Sequence, residues 1–162
     1  MLLIGESLSV EHNTDLIHAA YLKHVYTHAA AHCNCNTQSS SILVSRDSGV
    51  LLASTAVVDE SHQWYSMSSI KSLIYRAALR GIPCYGLDLY TPEPPTKEDA
   101  IAIRESGIHT VIYHKEFTEA NDSQDEYVLD FLGENNVRVI EWSGKVSNQE
   151  LNLMVQGESF NP

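Results

Sequence analysis

The chain has 162 residues and a mass of 18.0 kDa, which is large enough for one domain that buries its own core without metals or disulfides. Ten Lys and Arg residues stand against 21 Asp and Glu residues, and the formal net charge is -11 at pH 7. The field of such a chain repels polyanions, so the composition argues against free DNA or RNA as a partner.

The N-terminal residues and the cysteines predict a cytoplasmic protein. The stretch MLLIGESLSV lacks the basic region of a signal peptide and is interrupted by Gly5 and Glu6. No run approaches the roughly 18 apolar residues of a membrane helix, so we expect no membrane partner. Cys33, Cys35 and Cys84 are too few and too unevenly spaced for a disulfide framework, which fits a reducing compartment.

The first half of the chain predicts a helix, a hairpin and a second helix. The first helix covers Asn13–His32, with Asn13 and Thr14 as candidate caps. The apolar residues on its predicted face are Leu16, Ile17, Ala20, Tyr21 and Val25. Two short apolar runs then flank the turn at 46–49, which is typical of a β-hairpin. A polar loop at 59–66 precedes a second apolar stripe, which ends at a Gly-Ile-Pro sequence that stops a helix.

In the second half, strands alternate with helices. The predicted elements are a strand at 84–90, a helix at 96–105, a strand at 107–113, a helix at 125–132 and a strand at 137–142. This order predicts an α/β fold, a three-layer α-β-α sandwich around a five-stranded mixed sheet, in which the hairpin is antiparallel and the later strands are parallel. We expect a single domain over residues 1–142 and a partly ordered tail over residues 143–162, which lack a clear pattern.

Several local sequences resemble the cytidine and deoxycytidylate deaminase family, particularly the deoxycytidylate branch that is common in phages. The matching segments are AALRG at 77–81, Leu89-Tyr90 and SGIHTVIY at 106–113, and the order of elements over about residues 14–142 is also similar. The resemblance implies a cytidine deaminase-like fold, a phage protein, and a homo-oligomer formed through the helices that flank the active site.

The resemblance also shows which positions would carry the chemistry. The family binds zinc through the His of H-x-E and the two Cys of P-C-x-x-C, and the Glu moves protons. By the resemblance, Ser68 and Ile70 stand at the His and Glu positions, and Thr96 and Asp99 stand at the Cys positions after a matching Pro95. Because zinc requires thiolate, imidazole or carboxylate ligands, one carboxylate is too few, and we expect no cofactor.

The residues at these degenerate positions also fit structural roles. Thr96 followed by Asp99 predicts a capping box at a helix start, and Ile70 extends the apolar stripe of its own helix. We therefore expect a catalytically inactive, deaminase-like protein that binds a nucleotide or a protein in a regulatory or phage–host role. Two alternatives remain open: an active cytidine- or deoxycytidylate-type deaminase with relocated zinc ligands, and a structural subunit of an oligomer.

Candidate ligand-binding residues lie around the start of the second helix. A substrate-contacting Asn of the family falls near Val57, whose side chain cannot hydrogen-bond a nucleotide. His62, Trp64 and Tyr65 precede the helix, where aromatic rings could stack on a nucleotide base. In the interpretation we favour, these side chains instead cover the edge of the core or form part of a subunit interface. Lys71 lies on the helix, where it would meet a phosphate or remain solvated.

A row of histidines offers an alternative metal site. His24, His28 and His32 recur every fourth residue, and Cys33 and Cys35 follow directly. These are ligand types that zinc prefers, but the spacing places three imidazoles in a line rather than around an ion. At most two of them and one Cys would share zinc, and the other interpretation is a partly buried helix face with small buried thiols.

Overall fold

The computed structural model describes residues 4–34, 36–58, 66–121, 126–146 and 151–162. The helices are α1 Ile4–His32, α2 Ser69–Leu79, α3 Lys97–Ser106, α4 Lys115–Asn121 and α5 Glu126–Glu134. The strands are β1 Ser40–Ser45, β2 Gly49–Thr55, β3 Asp88–Thr91, β4 Thr110–His114, β5 Arg138–Trp142, β6 Leu153–Val155 and β7 Glu158–Phe160.

Strands β1 to β5 form one five-stranded sheet in the order β2-β1-β3-β4-β5. β1 pairs antiparallel with both β2 and β3, whereas β3, β4 and β5 are parallel to one another. The hairpin turns at Gly49, whose positive φ of 77° is easily adopted by glycine, and it carries a register shift between Leu43 and Val44. The predicted mixed sheet, with an antiparallel hairpin and later parallel strands, is confirmed.

Each face of the sheet buries its own apolar cluster, because successive side chains of a strand point to opposite faces. Leu43 and Leu89 belong to the cluster with α2, α3 and α5. Ile42 and Tyr90, their neighbours in sequence, belong to the cluster with α1, with Phe117 of α4 and with the C-terminal segment. Helices therefore cover the sheet on both sides, and the predicted three-layer α-β-α sandwich is confirmed.

α1 begins earlier than the sequence predicts, so Asn13 and Thr14 lie inside the helix rather than at its cap. The predicted buried face is confirmed for Val25 and wrong for Leu16 and Ile17, which are 58% and 45% exposed. The described residues of α1 that are buried are His18, Leu22, Val25, Tyr26 and Ala29. Within the parts of the chain that the structure describes, no helix is both long and apolar enough to cross a bilayer.

The buried face of α1 differs from the prediction because it includes aromatic side chains with polar ends. His18 Nδ1 lies 3.0 Å from the Tyr90 hydroxyl. The Tyr26 hydroxyl lies 2.6 Å from His114 Nδ1, and His114 Nε2 lies 2.9 Å from the Gly144 carbonyl oxygen. Because a carbonyl only accepts, the Nε2–H of His114 donates to it and the neutral ring accepts from Tyr26 at Nδ1. Hydrogen bonds thus make burial of these polar groups possible.

The C-terminal segment has more structure than its sequence predicts. β6 and β7 form an antiparallel hairpin, and Leu151, Leu153 and Val155 are buried in the cluster that includes α1. The Gln38 backbone N–H donates to the Met154 carbonyl at 2.7 Å, which fixes this hairpin to the segment before β1. α4 likewise has no counterpart among the predicted elements.

Candidate functional site

Ser68 joins the starts of two helices. It is the N-cap of α2, where its Oγ accepts a hydrogen bond from the Lys71 backbone N–H at 3.1 Å. Its hydroxyl donates to Oδ1 of Asp99, which lies in the first turn of α3. An N-cap serine satisfies one of the backbone donors that a helix start leaves unpaired. Here the same side chain also links α2 to α3, so the two helix N-termini lie side by side.

Asp99 lies between these two N-termini and is only 1% exposed. Its Oδ2 accepts from the Thr96 backbone N–H at 2.9 Å and from the Thr96 hydroxyl at 2.7 Å, and its own N–H donates to Thr96 Oγ1 at 3.3 Å. This is the predicted capping box, which is confirmed. A carboxylate is favourable at the positive end of a helix dipole, and hydrogen bonds to both oxygens compensate for its burial.

Zinc is the ion that the resembled family holds at these positions. In this chain the corresponding side chains are two hydroxyls, from Ser68 and Thr96, and the Asp99 carboxylate, whose oxygens already accept hydrogen bonds. A catalytic zinc site uses three thiolate, imidazole or carboxylate ligands and one open position. Among the described residues, no group of three His, Cys, Asp or Glu is arranged to hold a metal ion. These three side chains therefore do not fit a catalytic zinc ion.

By the resemblance, Ile70 stands at the position of the proton-transferring Glu of the family. It is 1% exposed and packs with Leu73, Ile74 and Ala77 of α2 in the cluster on this face of the sheet. An aliphatic side chain can neither accept nor donate a proton, so the general acid–base group is missing at this position. The prediction that Ile70 extends the apolar stripe of its helix agrees with this packing.

Buried hydroxyl groups hold α2 on the sheet beneath these helix starts. Ser69 Oγ lies 2.7 Å from Ser41 Oγ and 3.2 Å from Ser39 Oγ. The Ser41 hydroxyl in turn donates to Thr91 Oγ1 at 3.1 Å. This serine network was missed by sequence reasoning, although the run of serines at 39–41 was its visible signal. It connects β1, β3 and α2 through neutral groups that satisfy one another.

Ser40 has a histidine neighbour that the sequence does not reveal. His28 Nδ1 lies 2.8 Å from Ser40 Oγ, and the Ser40 hydroxyl donates to the Ser54 carbonyl at 3.1 Å. Because the single hydroxyl proton points at that carbonyl, His28 donates through its Nδ1–H. Burial lowers the pKa of His28, and the nearby rings of His32 and His24 lower it further. Ser40 is fully buried, so this pair is a packing contact rather than an exposed nucleophile and base.

An open cleft of about 380 Å³ lies over the N-termini of α2 and α3. Its volume falls within the range of roughly 300–1,000 Å³ that is common for small-molecule sites. The hydroxyl-bearing residues that line it are Thr37, Ser39, Ser66, Ser68 and Thr96. The charged residues that line it are Lys71, Glu93 and Glu98. Apolar side chains, including Val58 and Met67, complete the wall.

Lys71 and Glu98 form an ion pair across this cleft, from α2 to α3. Lys71 Nζ lies 2.5 Å from Glu98 Oε2, and the Glu98 side chain is 76% exposed. Their hydrogen bond raises the pKa of Lys71 and lowers the pKa of Glu98, so both groups stay charged at neutral pH. Solvent screens the attraction between the charges of an exposed pair of this kind, so the pair adds little stability. Its main effect on the cleft is that the negative charge of Glu98 offsets the positive charge of Lys71.

The other predicted ligand-binding residues are placed as follows. Val57 is 43% exposed and pairs with Met67 through backbone hydrogen bonds of 2.9 and 2.7 Å. Its neighbour Val58 lines the cleft and Val57 does not, and the role of Val57 stays a prediction. His62, Trp64 and Tyr65 lie outside the described residues, and their roles stay predictions.

Within the described part of the chain, the histidine row is not part of a group of three ligand-type side chains that could hold a metal ion. His24 and His32 are exposed on α1, and the rings of His28 and His32 stack with their centroids 4.6 Å apart. Cys33 is disulfide-bonded, so its sulfur is not a thiolate ligand. Cys35 lies outside the described residues. The prediction that the cysteines are unpaired thiols is wrong for Cys33, and the argument for a reducing compartment loses that support.

Solved structures with the same architecture come from several deaminases. The dCMP deaminase from the cyanophage S-TIM5 matches with a TM-score of 0.64 and 16% identity, over 78% of this chain and 97% of that chain. NE0047, solved in complex with 2,6-diaminopurine, matches with a TM-score of 0.63 and 16% identity, over 76% of this chain and 73% of that chain. A diaminohydroxyphosphoribosylaminopyrimidine deaminase/reductase from Thermotoga maritima matches with a TM-score of 0.55 and 14% identity, over 79% of this chain and 37% of that chain.

These likenesses show the fold of the chain. No protein-family model matches the sequence, and no curated protein matches it either. At identities of 14–16%, structural similarity demonstrates a shared architecture and leaves chemistry to the residues of the site. The protein therefore has a cytidine deaminase-like fold, and by the resemblance a serine, an isoleucine, a threonine and an aspartate stand at the positions that carry catalysis in that family.

Proposed function

We propose that this protein binds a nucleobase-containing ligand in the cleft over the N-termini of α2 and α3 and does not hydrolyse it by the zinc mechanism. One observation carries the proposal: the Asp99 carboxylate is bonded to Ser68 and Thr96 where the resemblance expects a metal centre, and an open cleft remains beside it. A site that keeps its cavity but lacks its metal ligands supports binding rather than catalysis.

The physical argument against hydrolysis rests on two missing groups. A zinc ion lowers the pKa of its bound water to about 7, and without an ion no comparable nucleophile forms at neutral pH. The second missing group is the acid that moves protons between the water and the base, for which Ile70 is no substitute. An attack on a ring carbon would then lack both the nucleophile and the proton transfer.

The argument for a nucleobase-containing ligand comes from the cleft and from the fold. Hydroxyl groups and apolar side chains together line the cleft, which is the mixture that orients a flat, hydrogen-bonding molecule. Among the structural neighbours, the cyanophage enzyme was solved in complex with dCMP and dUMP, and NE0047 with 2,6-diaminopurine. We therefore propose that this chain has retained the binding step of the related fold.

Binding and turnover measured on the same purified protein test this proposal. Cytidine, deoxycytidine, dCMP and guanine are titrated calorimetrically, ammonia release is followed with each, and the zinc content is determined. We expect binding of at least one compound, no ammonia above the uncatalysed rate, and zinc well below one ion per chain. Stoichiometric zinc together with turnover would establish the alternative, an active deaminase with relocated ligands. Absence of both binding and turnover would reject the proposal.

Two neighbouring valines provide a matched pair of variants. Val58 lines the cleft and is 52% exposed, whereas Val57 is 43% exposed and does not line it. Val58→Trp is expected to fill the cleft and abolish binding, because an indole occupies much of the available volume. Val57→Trp is expected to leave binding within about twofold of wild type, since interactions away from a site are close to independent of it. Equal effects of both variants would place the ligand elsewhere.

A second proposal concerns self-association through the outer face of α2. Tyr75 and Leu79 lie one turn apart on this helix and are 56% and 86% exposed. Large apolar side chains exposed in this way are typical of protein contact surfaces, and the resembled family assembles through helices that flank its active site. Leu79→Glu is expected to lower the mass measured by light scattering, whereas Met154→Glu on β6 is not. A wild-type protein that is monomeric at high concentration would reject a structural-subunit role.

The biological setting is part of the same proposal. Likeness to a cyanophage enzyme supports a phage-encoded protein, and we place it in the cytoplasm of the host, where it would regulate nucleotide metabolism or contact a host protein. Genomic context tests the origin directly: neighbouring phage replication or structural genes are expected. A gene found only among host housekeeping genes would contradict it.

A further inference from the structure

Three backbone N–H groups at the two helix starts, donors of the kind that bind a phosphate, are bonded within the protein at this cleft. Helix starts bind anions because their first backbone N–H groups are unpaired and their dipoles favour negative charge. In α2 the Lys71 N–H is bonded to Ser68 Oγ. In α3 the Thr96 N–H is bonded to Asp99 Oδ2, and the Asp99 N–H to Thr96 Oγ1.

Asp99 already supplies the anion that these two helix starts favour. Its carboxylate accepts from both N-cap side chains, Ser68 of α2 and Thr96 of α3, and it is almost completely buried. A second anion held by Ser68 and Thr96, which line the cleft, would lie next to this carboxylate, and repulsion between like charges would oppose its binding. The structure therefore contains an internal substitute for a ligand phosphate.

The remaining charges of the cleft also disfavour an anion. Among the described residues that line the cleft, Lys71 is positive and Glu93 and Glu98 are negative. Lys71 is held by Glu98 at 2.5 Å, so its charge is already matched. A phosphate bound to Lys71 would share this lysine with Glu98 and lie close to its carboxylate, in a chain whose net charge is -11.

The uncharged groups of the cleft suit an uncharged ligand. Thr37, Ser66 and other lining residues bear hydroxyls, and Thr37 Oγ1, which accepts from the Gln156 backbone N–H at 3.0 Å, has a proton of its own to donate. Such groups match the exocyclic amino and carbonyl groups of a base and the hydroxyls of a ribose. The apolar wall that includes Met67 offers a surface for the faces of a base.

We infer that this cleft selects an unphosphorylated nucleoside or free base and rejects the corresponding nucleotide. This inference rests on the proposed function and specifies its ligand class. It distinguishes the chain from the cyanophage structural neighbour, whose solved complex contains dCMP and dUMP. The selectivity comes from the charges inside this protein, namely an anion at the paired helix starts and a lysine matched by a glutamate.

Calorimetric titration with matched pairs of ligands tests the inference on the full-length protein. The pairs are cytidine and CMP, deoxycytidine and dCMP, and guanosine and GMP, at low and at high salt. For the base that binds, we expect the nucleoside to bind at least about tenfold more tightly than its 5′-monophosphate, with a smaller ratio at high salt, because like-charge repulsion is screened. A monophosphate that binds as tightly as its nucleoside, or more tightly, would overturn the inference.

Two variants on α3 separate the charge argument from general effects. Glu98→Gln frees Lys71 from its partner and is expected to narrow the nucleoside preference several-fold. Glu105→Gln removes an equal charge from the same helix, where Glu105 Oε1 pairs with Arg104 at 2.7 Å and does not line the cleft. It is expected to leave the preference unchanged. Equal shifts in both variants would show that only net charge matters and would refute the local mechanism.

The outcomes for the two proposals are distinct. If monophosphates bind preferentially and are not deaminated, the proposed binding function stands and the ligand class inferred here is wrong. If no member of any pair binds, both are wrong. If the nucleoside is preferred but is deaminated, the ligand class stands and the proposed lack of catalysis is wrong.

Discussion

Replacement of Asp99 by Asn tests the role of this side chain most directly. Three donors now point at its two carboxylate oxygens: the Ser68 hydroxyl, the Thr96 N–H and the Thr96 hydroxyl. An asparagine has nearly the same shape but offers one acceptor oxygen, and its other terminal atom is an NH₂ donor. Whichever way the amide is oriented, a donor of Ser68 or Thr96 would face another donor.

The expected loss of stability follows from these contacts. A helix cap contributes about 0.5–2 kcal/mol, and a buried donor left without an acceptor costs about 1–3 kcal/mol. The two effects share the same hydrogen bonds and are therefore not fully additive. We expect Asp99→Asn to lower the free energy of unfolding by about 2–4 kcal/mol, because Asp99 is 1% exposed and water cannot replace the lost partners.

Urea unfolding followed by far-UV circular dichroism measures this loss as a lower midpoint with an unchanged m-value. Glu98→Gln is the control, since Glu98 is another acid in the first turn of α3 but its side chain is 76% exposed, and its midpoint is expected to stay close to wild type. A chelator is expected to leave wild-type unfolding unchanged. Wild-type stability in Asp99→Asn, or a chelator effect as large as that of the substitution, would refute the hydrogen-bonded role of Asp99.

Three further predictions use the same unfolding measurement. Gly107→Ala is expected to lower the free energy of unfolding by about 1 kcal/mol or more, because Gly107 has a φ of 75° and an added Cβ would lie 2.8 Å from Tyr85 Cδ2. Gly133→Ala is the control, and it is expected to be neutral or stabilising because the space around Gly133 is open. Equal losses of stability in the two variants would contradict this reasoning. Ile70→Ala is expected to cost about 2–5 kcal/mol because Ile70 is 1% exposed in the core, and a loss below about 1 kcal/mol would show that the site is not packed. Burial lowers the pKa of His114 below its ordinary value of 6.5, so the unfolded chain binds the proton more readily than the folded protein. The free energy of unfolding is therefore expected to decrease as the pH falls below 6.5, and His114→Gln is expected to weaken this pH dependence. An unchanged pH dependence in the variant would assign it to other groups.

Features that depend on neighbouring residues were predictable from the sequence. The capping box needs only Thr96 and Asp99, three positions apart, and the hairpin needs a turn between two apolar runs, so short-range hydrogen bonding determines both. The sheet followed from the same local signals, because strands alternating with helices have few ways to connect. The face that α1 buries was not predictable, since His18 and Tyr26 are buried only where Tyr90 and His114 meet their polar ends.

The amino-acid sequence by itself determined the architecture of this protein and, through the resemblance, predicted that the three zinc ligands and the proton-transferring Glu of the family are replaced. Only the tertiary structure decided which groups bond to the Asp99 carboxylate, because the bond from Ser68 to Asp99 joins residues 31 positions apart. It also decided that the described residues leave a cleft over the two helix starts and that Lys71 is matched by Glu98 on another helix. The physical reason is that periodicity and capping are short-range properties, whereas the partner of a buried polar group depends on how distant segments pack.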